Sequence, residues 1–227
     1  MPIINMVYKK KKWWKPWANT IAYYPLTSTS TVNDMSGNNL TLTNNWATFW
    51  VYQWVDSSYL NWNMYYYGIS DLQAFTLNCW YCLRNMSEHY YLFFWMKMWT
   101  GVNTDNWFQL WETNGRPWGY GFWVQYMLNN NHNSVNVWTS SADYSTIWTW
   151  YNWVVTYDWT TIRVYQNWVL KNSRATAISG TKNTIFIWYN STNSQVNLSN
   201  AIVENKVWTD TEILSYYNQT KSQYWIS

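Results

Sequence analysis

Glycine is scarce in this chain, at seven of 227 residues, where ordinary usage of roughly 7% would supply about 16. Charge is scarce too, at 11% of residues, and a low charged fraction alongside abundant Asn, Thr and Ser argues for a β-rich surface protein and against a helical bundle. The longest uncharged apolar run, Tyr90 to Met96, is far short of the roughly 18 residues that would span a bilayer, so no membrane span is expected. Cysteine and histidine number two each. Cys79 and Cys82 form a lone CxxC, but zinc would need two further ligands, and His89 and His132 stand isolated. A redox CxxC would open a helix, whereas Phe75 to Leu83 reads as a strand, on which residues i and i+3 point to opposite faces.

What the chain does have is apolar and aromatic bulk, 48% and 22% respectively, which excludes disorder. At this length one domain with a substantial core is the default for an all-β chain. The net charge of +3 belongs to one end. Lys9 to Lys12 and Lys15 supply five of the 14 basic residues, leaving nine against 11 acidic ones from residue 16 onward, a body of about −2. Residues 1–19 are therefore expected to form a basic, Trp-rich leader arm ahead of a domain at 20–227, with residues 1–17 packing little against that domain. A solvated leader is the favoured reading of the lysines, ahead of phosphate binding with stacking by Trp13, Trp14 and Trp17, so nucleic acid is not the expected partner. Trp13 to Asn19 offers neither an apolar h-region nor a small-residue cleavage site, so no secretory signal is expected.

The clearest stretch is Trp150 to Asn172, WYNWVVTYDWTTIRVYQNWVLKN. Its period-two runs of β-branched and aromatic residues predict three strands of a β-meander, with turns at Asp158-Trp159 and Asn167-Trp168. Tight hairpins want Asp-Gly or Asn-Gly there, because a type I′ turn needs positive φ at both central residues. Further short strands, from Thr20-Leu26 through Leu40-Thr43, Ala47-Val51, Ser58-Trp62, Phe75-Leu83, Tyr90-Met98, Asn106-Glu112, Gly119-Met127 and Ser134-Thr139 to Thr184-Tyr189 and Asn200-Val207, recur at the spacing of a sandwich. No strand-helix-strand alternation interrupts them. Thr209-Asp-Thr-Glu212 is a capping box, followed by Ile213, Leu214 and Tyr217 at helical spacing, which predicts one helix near 210–218.

The meander resembles the signature of laminin G-like jelly-roll domains in the concanavalin A-like lectin/glucanase superfamily, with Trp150, Val155, Thr156, Tyr157, Asp158, Tyr165 and Asn167 matching. The match implies that Trp150 packs between the sheets. Val32 to Leu40 resembles that family's opening segment and Ala201 to Asn218 its closing one, although Val203 stands where the family has Asp. The expected fold is thus an all-β, antiparallel jelly-roll β-sandwich with one short C-terminal helix. Trp159 and Trp168 replace the signature's two turn glycines, and Trp123 and Trp188 also stand at glycine-like positions, as do Trp50 and Trp54. With 23 Trp against seven Gly, one cause covers both counts. Many of these codons would be UGA, read as glycine in some bacterial lineages and their phages and as tryptophan in others. The competing reading is a Trp-rich binding protein.

Relatives in that superfamily include calcium binders and glucanases. Asp34 with Asn33 and Asn38 could offer oxygens to calcium, the one cofactor considered, but one carboxylate is few for a cation that takes six to eight oxygens, and a plain Asx-turn is favoured. Retaining glycoside hydrolysis needs two carboxyl groups roughly 5 Å apart. Glu88, Glu112, Glu204 and Glu212 are scattered, and neither a nucleophile elbow nor a phosphate loop is present, so the expectation is no enzyme. The resemblance implies a carbohydrate-binding or adhesive module whose partner is a glycan or surface protein. Trp111, Trp118 and Tyr120 with Arg116, around the Gly115-Arg116-Pro117 loop, are the candidate ligand residues. The alternative is a structural virion or cell-surface component, such as a phage decoration or fibre protein, docked through its arm.

Overall fold

The computed structural model describes residues 14–27, 32–44, 48–52, 55–60, 64–67, 69, 72–85, 90–99, 106–113, 121–128, 131–138, 146, 148–177, 181–187 and 195–226. Among them are β1 (Thr20–Tyr24), β2 (Thr43–Asn44), β3 (Thr48–Tyr52), β4 (Val55–Leu60), β5 (Met64–Tyr67), β6 (Phe75–Asn85), β7 (Tyr90–Trp99) and β8 (Asn106–Thr113). They continue with β9 (Gly121–Leu128), β10 (Asn131–Trp138), β11 (Trp150–Tyr157), β12 (Thr161–Gln166), β13 (Val169–Ala175), β14 (Thr181–Ile187), β15 (Gln195–Glu204) and one helix, α1 (Asp210–Thr220). Two antiparallel sheets result. An eight-stranded sheet runs β13-β12-β11-β6-β15-β4-β3, with β1 also pairing β15, and a seven-stranded sheet runs β10-β9-β8-β7-β14-β5-β2. This is the all-β sandwich that the strand spacing predicts, with the short C-terminal helix that the capping box predicts.

The three strands of the meander form as read, and so does its second turn. The first turn departs: β11 ends at Tyr157 and β12 begins at Thr161, and of residues 158–160 only Trp159 has positive φ, so this turn is not the type I′ pair expected at Asp158-Trp159. β11 pairs β12 from Trp153↔Gln166 to Tyr157↔Ile162, and β12 pairs β13 with Gln166 opposite Val169, which leaves Asn167 and Trp168 as a two-residue turn. Both have positive φ, 48° and 69°, the geometry of a type I′ hairpin. β5, with its four residues Met64–Tyr67, escapes the sequence reading, and β15 runs earlier than expected, ending at Glu204. Several other strand ends lie a few residues from their expected places, as the ends of elements commonly do.

Alternation along the strands divides the buried residues into two cores. Leu77, Cys79, Tyr81 and Leu83 of β6 and Trp153, Val155 and Tyr157 of β11 join Ile187 of the other sheet in one cluster. The opposite face of the same strands carries Trp80, Cys82, Trp150 and Val154, which pack with Tyr23, Ile202, Trp208, Ile213 and Tyr216 beneath α1. The strands at the middle of the eight-stranded sheet are therefore covered on both faces. Trp150, which the family match suggests for the space between the sheets, lies instead in the cluster under the helix, because it shares a face with Val154 and not with Trp153.

The helix is set by its capping box. The Thr209 hydroxyl accepts from the Glu212 amide at 3.2 Å, and the Glu212 carboxylate accepts from the Thr209 amide at 2.9 Å, satisfying two donors that the first helical turn leaves free. Lys206 makes an ion pair with Glu212. No helix among the described residues is long and apolar enough to cross a membrane.

The expectation that residues 1–17 pack little against the domain is corrected at Trp14 and Trp17. Trp14 is buried in the cluster beneath α1, with its ring 5.3 Å from Tyr23 and 5.5 Å from Tyr216, both edge-on. Trp17 lies 4.9 Å from Trp208. An indole with this much apolar area gains more from a ready aromatic cleft than from staying solvated beside the lysines. Residues 1–13, which hold the lysine run from Lys9 to Lys12, lie outside the described residues.

Candidate functional site

The segment between β1 and β2 is organised by one carboxylate. Asp34 Oδ1 accepts from the amides of Tyr23 at 3.0 Å and Ser36 at 2.9 Å. Its Oδ2 accepts from the Leu40 amide at 3.0 Å and lies 2.7 Å from the Ser36 hydroxyl. Asn38 donates from Nδ2 to the carbonyls of Thr20 and Ile21, and Gly37 takes φ +98° with open space where a Cβ would stand. Both oxygens of Asp34 are thus engaged in holding the loop across β1, the arrangement of an Asx-turn extended to a neighbouring strand. Asn33 is exposed. No group of three or more His, Cys, Asp or Glu able to hold a metal ion occurs among the described residues.

A second carboxylate organises the β11–β12 turn. Asp158 Oδ1 accepts from the amides of Thr160 and Thr161, at 3.1 and 2.8 Å, and its Oδ2 lies 2.5 Å from Arg163 Nη1. Partial burial would raise its carboxyl, but the hydrogen bonds from Arg163, Thr160 and Thr161 outweigh that and hold it at about 2. The third is Glu204, fully buried at the end of β15. Its Oε1 accepts from the Thr20 hydroxyl, which in turn accepts from the Trp17 amide at 2.9 Å. Burial pushes Glu204 up to about 7, against the Thr20 hydrogen bond and the nearby charge of Lys206. These carboxylates belong to three separate places, each with a structural partner, and they do not form the close pair that glycoside hydrolysis requires.

The CxxC is also taken apart by the strand. Cys79 belongs to the core between the sheets and Cys82 to the cluster beneath α1, as the i, i+3 spacing on a strand predicts. Both are free thiols, and burial pushes each up to about 12, with Arg84 partly opposing the rise at Cys82. A thiol so far from ionising is neither a ready nucleophile nor a ready metal ligand.

Beneath the helix, polar groups complete one another. Asn200, at φ 52°, accepts from the Tyr23 hydroxyl at 2.8 Å and donates to the Tyr224 hydroxyl at 2.6 Å. Tyr224 donates to Ser199 and stacks on Trp80 with centroids 4.0 Å apart. This buried network ties the chain after α1 to the middle of β15. Nothing in the sequence patterning singles out Asn200, because its partners, Tyr23, Tyr224 and Asn78, whose side chain donates to the Asn200 carbonyl at 3.3 Å, come from three distant segments.

Of the candidate ligand residues, Trp111 is placed through its backbone on β8, opposite Leu92 of β7 and Trp123 of β9. It stands two residues before the end of β8, where the chain leaves the seven-stranded sheet. Arg116, Trp118 and Tyr120 lie outside the described residues, as do Trp54 and Trp188 of the glycine-like positions.

No protein-family model matches the chain, and no curated protein matches it in sequence. Solved structures do match in fold. The binding domain of botulinum neurotoxin serotype G superposes with a TM-score of 0.70 at 16% identity, over 90% of this chain and 52% of that one. The binding domain of Paraclostridial Mosquitocidal Protein 1 gives 0.66 at 14% identity, over 88% and 52%. The ligand binding domain of botulinum neurotoxin serotype D, solved in complex with N-acetylneuraminic acid, gives 0.63 at 14% identity, over 88% and 50%. This chain therefore spans about half the length of the solved structures it resembles, and the likeness is one of fold.

Proposed function

We propose that this protein is a non-catalytic recognition module of the laminin G-like type, binding a glycan or the carbohydrate of a surface protein. The observation that carries the reading is the likeness of nearly the whole sandwich to binding domains, one of them holding N-acetylneuraminic acid. The dispersal of Asp34, Asp158 and Glu204 into separate structural roles supports a binding function over hydrolysis. The proposed contact is made by Trp111, Trp118 and Tyr120, whose aromatic faces suit the apolar face of a sugar ring, with Arg116 available to a sugar hydroxyl or carboxylate.

The alternative, a virion or cell-surface component docked through its arm, draws no support from the comparisons, and Trp14 and Trp17 are already engaged by the domain's own core. A glycan array carrying sialylated and neutral oligosaccharides tests the proposal. Binding should appear on a defined glycan class and weaken at least tenfold in Trp118→Ala or Arg116→Ala, about 1.4 kcal/mol. A folded protein that binds no glycan, or binding indifferent to all four residues, rejects it.

A further inference from the structure

Eight described residues other than glycine have positive φ: Leu26, Asn39, Trp148, Trp159, Asn167, Trp168, Asn200 and Trp225. Three are asparagine, whose short polar side chain tolerates the left-handed region. Four are tryptophan, although 23 Trp in 227 residues would place fewer than one among eight by chance. For a bulky side chain this backbone is a real outlier, because Cβ crowds the following carbonyl.

Each of the four sits where chain geometry asks for glycine. Trp168 is the second residue of the two-residue β12–β13 turn, with φ 69° after Asn167 at 48°, the place of Gly in an Asn-Gly type I′ turn. Trp159 follows Asp158 in the β11–β12 turn at φ 78°. Trp225, at φ 61° and ψ 23°, ends the 3-10 turn of residues 221–224, the left-handed helix-terminating position that glycine dominates. Trp148, at φ 66°, enters β11 with its amide bonded to the Leu83 carbonyl at 2.7 Å. All four side chains stand out from the surface, between 45% and 74% exposed.

Other tryptophans behave oppositely. Trp80, Trp150 and Trp208 are at most 3% exposed and none has positive φ. Trp80 stacks on Tyr224, Trp150 lies 5.0 Å from the same ring, and Trp208 lies 5.3 Å from Tyr216. Removing any of these rings would hollow the cluster beneath α1.

We infer that residues 148, 159, 168 and 225 are glycine in the protein as its own host makes it, encoded by UGA, while Trp80, Trp150 and Trp208 are tryptophan encoded by UGG. Backbone conformation and burial together sort the two codons. Trp148 and Trp225 join the set on geometry alone, since no sequence signature marks them. The consequence for recognition is direct. The indoles at these four turns are not a stacking platform, and the aromatic residues that meet a ligand belong elsewhere.

The test has two independent arms. The first reads the gene's codons and sequences peptides of the protein isolated from its native cells. Glycine at all four turn positions with tryptophan at 80, 150 and 208 is expected, and tryptophan at any of the four, or glycine at any of the three, overturns the sorting. The second arm makes Trp148→Gly, Trp159→Gly, Trp168→Gly and Trp225→Gly singly in the protein as written. Relief of the left-handed penalty should raise the folding equilibrium constant by roughly 5- to 30-fold each, and a uniform loss of stability across the four overturns the inference.

Discussion

Thr20 and Glu204 face one another across the β1–β15 ladder, and the Thr20 hydroxyl donates at 2.5 Å to a carboxylate that solvent does not reach. The pair joins the first strand to the last, and it makes the fold sensitive to pH near neutrality. Burial raises the folded Glu204 carboxyl from 4.5 to about 7, with the Thr20 bond and Lys206 opposing and Glu212 adding to the rise. The folded protein then keeps a proton that the unfolded chain releases. Stability from this group is fully present below about 4.5 and is lost as pH rises through about 7. The loss should be on the order of 3 kcal/mol. Denaturant midpoints measured from about pH 5 to about pH 8 should fall, and Glu204→Gln should flatten that slope whatever it does to the absolute level.

Asp158 predicts the opposite limb. Its hydrogen bonds from Arg163, Thr160 and Thr161 overcome partial burial and hold it at about 2, below the ordinary 3.8. Its contribution is therefore present above 3.8 and is lost as pH falls through about 2. Asp158→Asn keeps an acceptor for the turn amides but loses the Arg163 pair, and for a partly exposed pair the cost at neutral pH should stay under about 1 kcal/mol. Thermal scans of both proteins down the acid limb should converge as the wild-type carboxylate protonates.

Trp14 is expected to behave as a core residue. Trp14→Ala should destabilise the protein by roughly 3 to 5 kcal/mol, read from the denaturant midpoint. Deleting residues 1–17 should lower the thermal midpoint too, since it removes Trp17 from the same aromatic contacts. An unchanged midpoint after deletion would mean that these rings are not held against Tyr23, Trp208 and Tyr216.

The cysteines should be silent in the native state. Burial holds Cys79 and Cys82 at about 12, so a thiol-alkylating reagent at mildly alkaline pH should modify neither until denaturant opens the fold. Rapid labelling of one thiol in native buffer would contradict its burial.

What the sequence discloses is local. The meander is legible because its alternation and turns span fewer than about ten residues each, and Asn167-Trp168 falls where the hairpin needs it. The helix is legible from Thr209 and Glu212, three residues apart. Trp14 is not legible, because its partners Tyr216 and Trp208 belong to the far end of the chain and the neighbouring lysines suggest solvent. The face on which Trp150 is buried depends on where α1 docks, and the roles of Asn200 and Glu204 depend on strands brought together only in the folded sheet. Of the candidate ligand residues, Trp111 falls on a strand, as the alternation predicts, while a ligand surface needs side chains from a loop whose conformation no periodicity encodes.

The position of β15 has a consequence during synthesis. It is the strand that lies between β6 and β4 and also receives β1, so β1, β3 and β4 have no link to β6 and β11 within their sheet until residues 195–204 have left the ribosome. Ribosomes add roughly 5–20 residues per second, and the interval between completing β6 and completing β15 is then on the order of ten seconds. Until β11 is complete both edges of β6 lack their sheet partners, and from then until β15 one still does, on an apolar strand with both faces destined for burial. Such an edge is a template for pairing with another chain, so the sheet is open to mispairing during synthesis until its last strand arrives to close it.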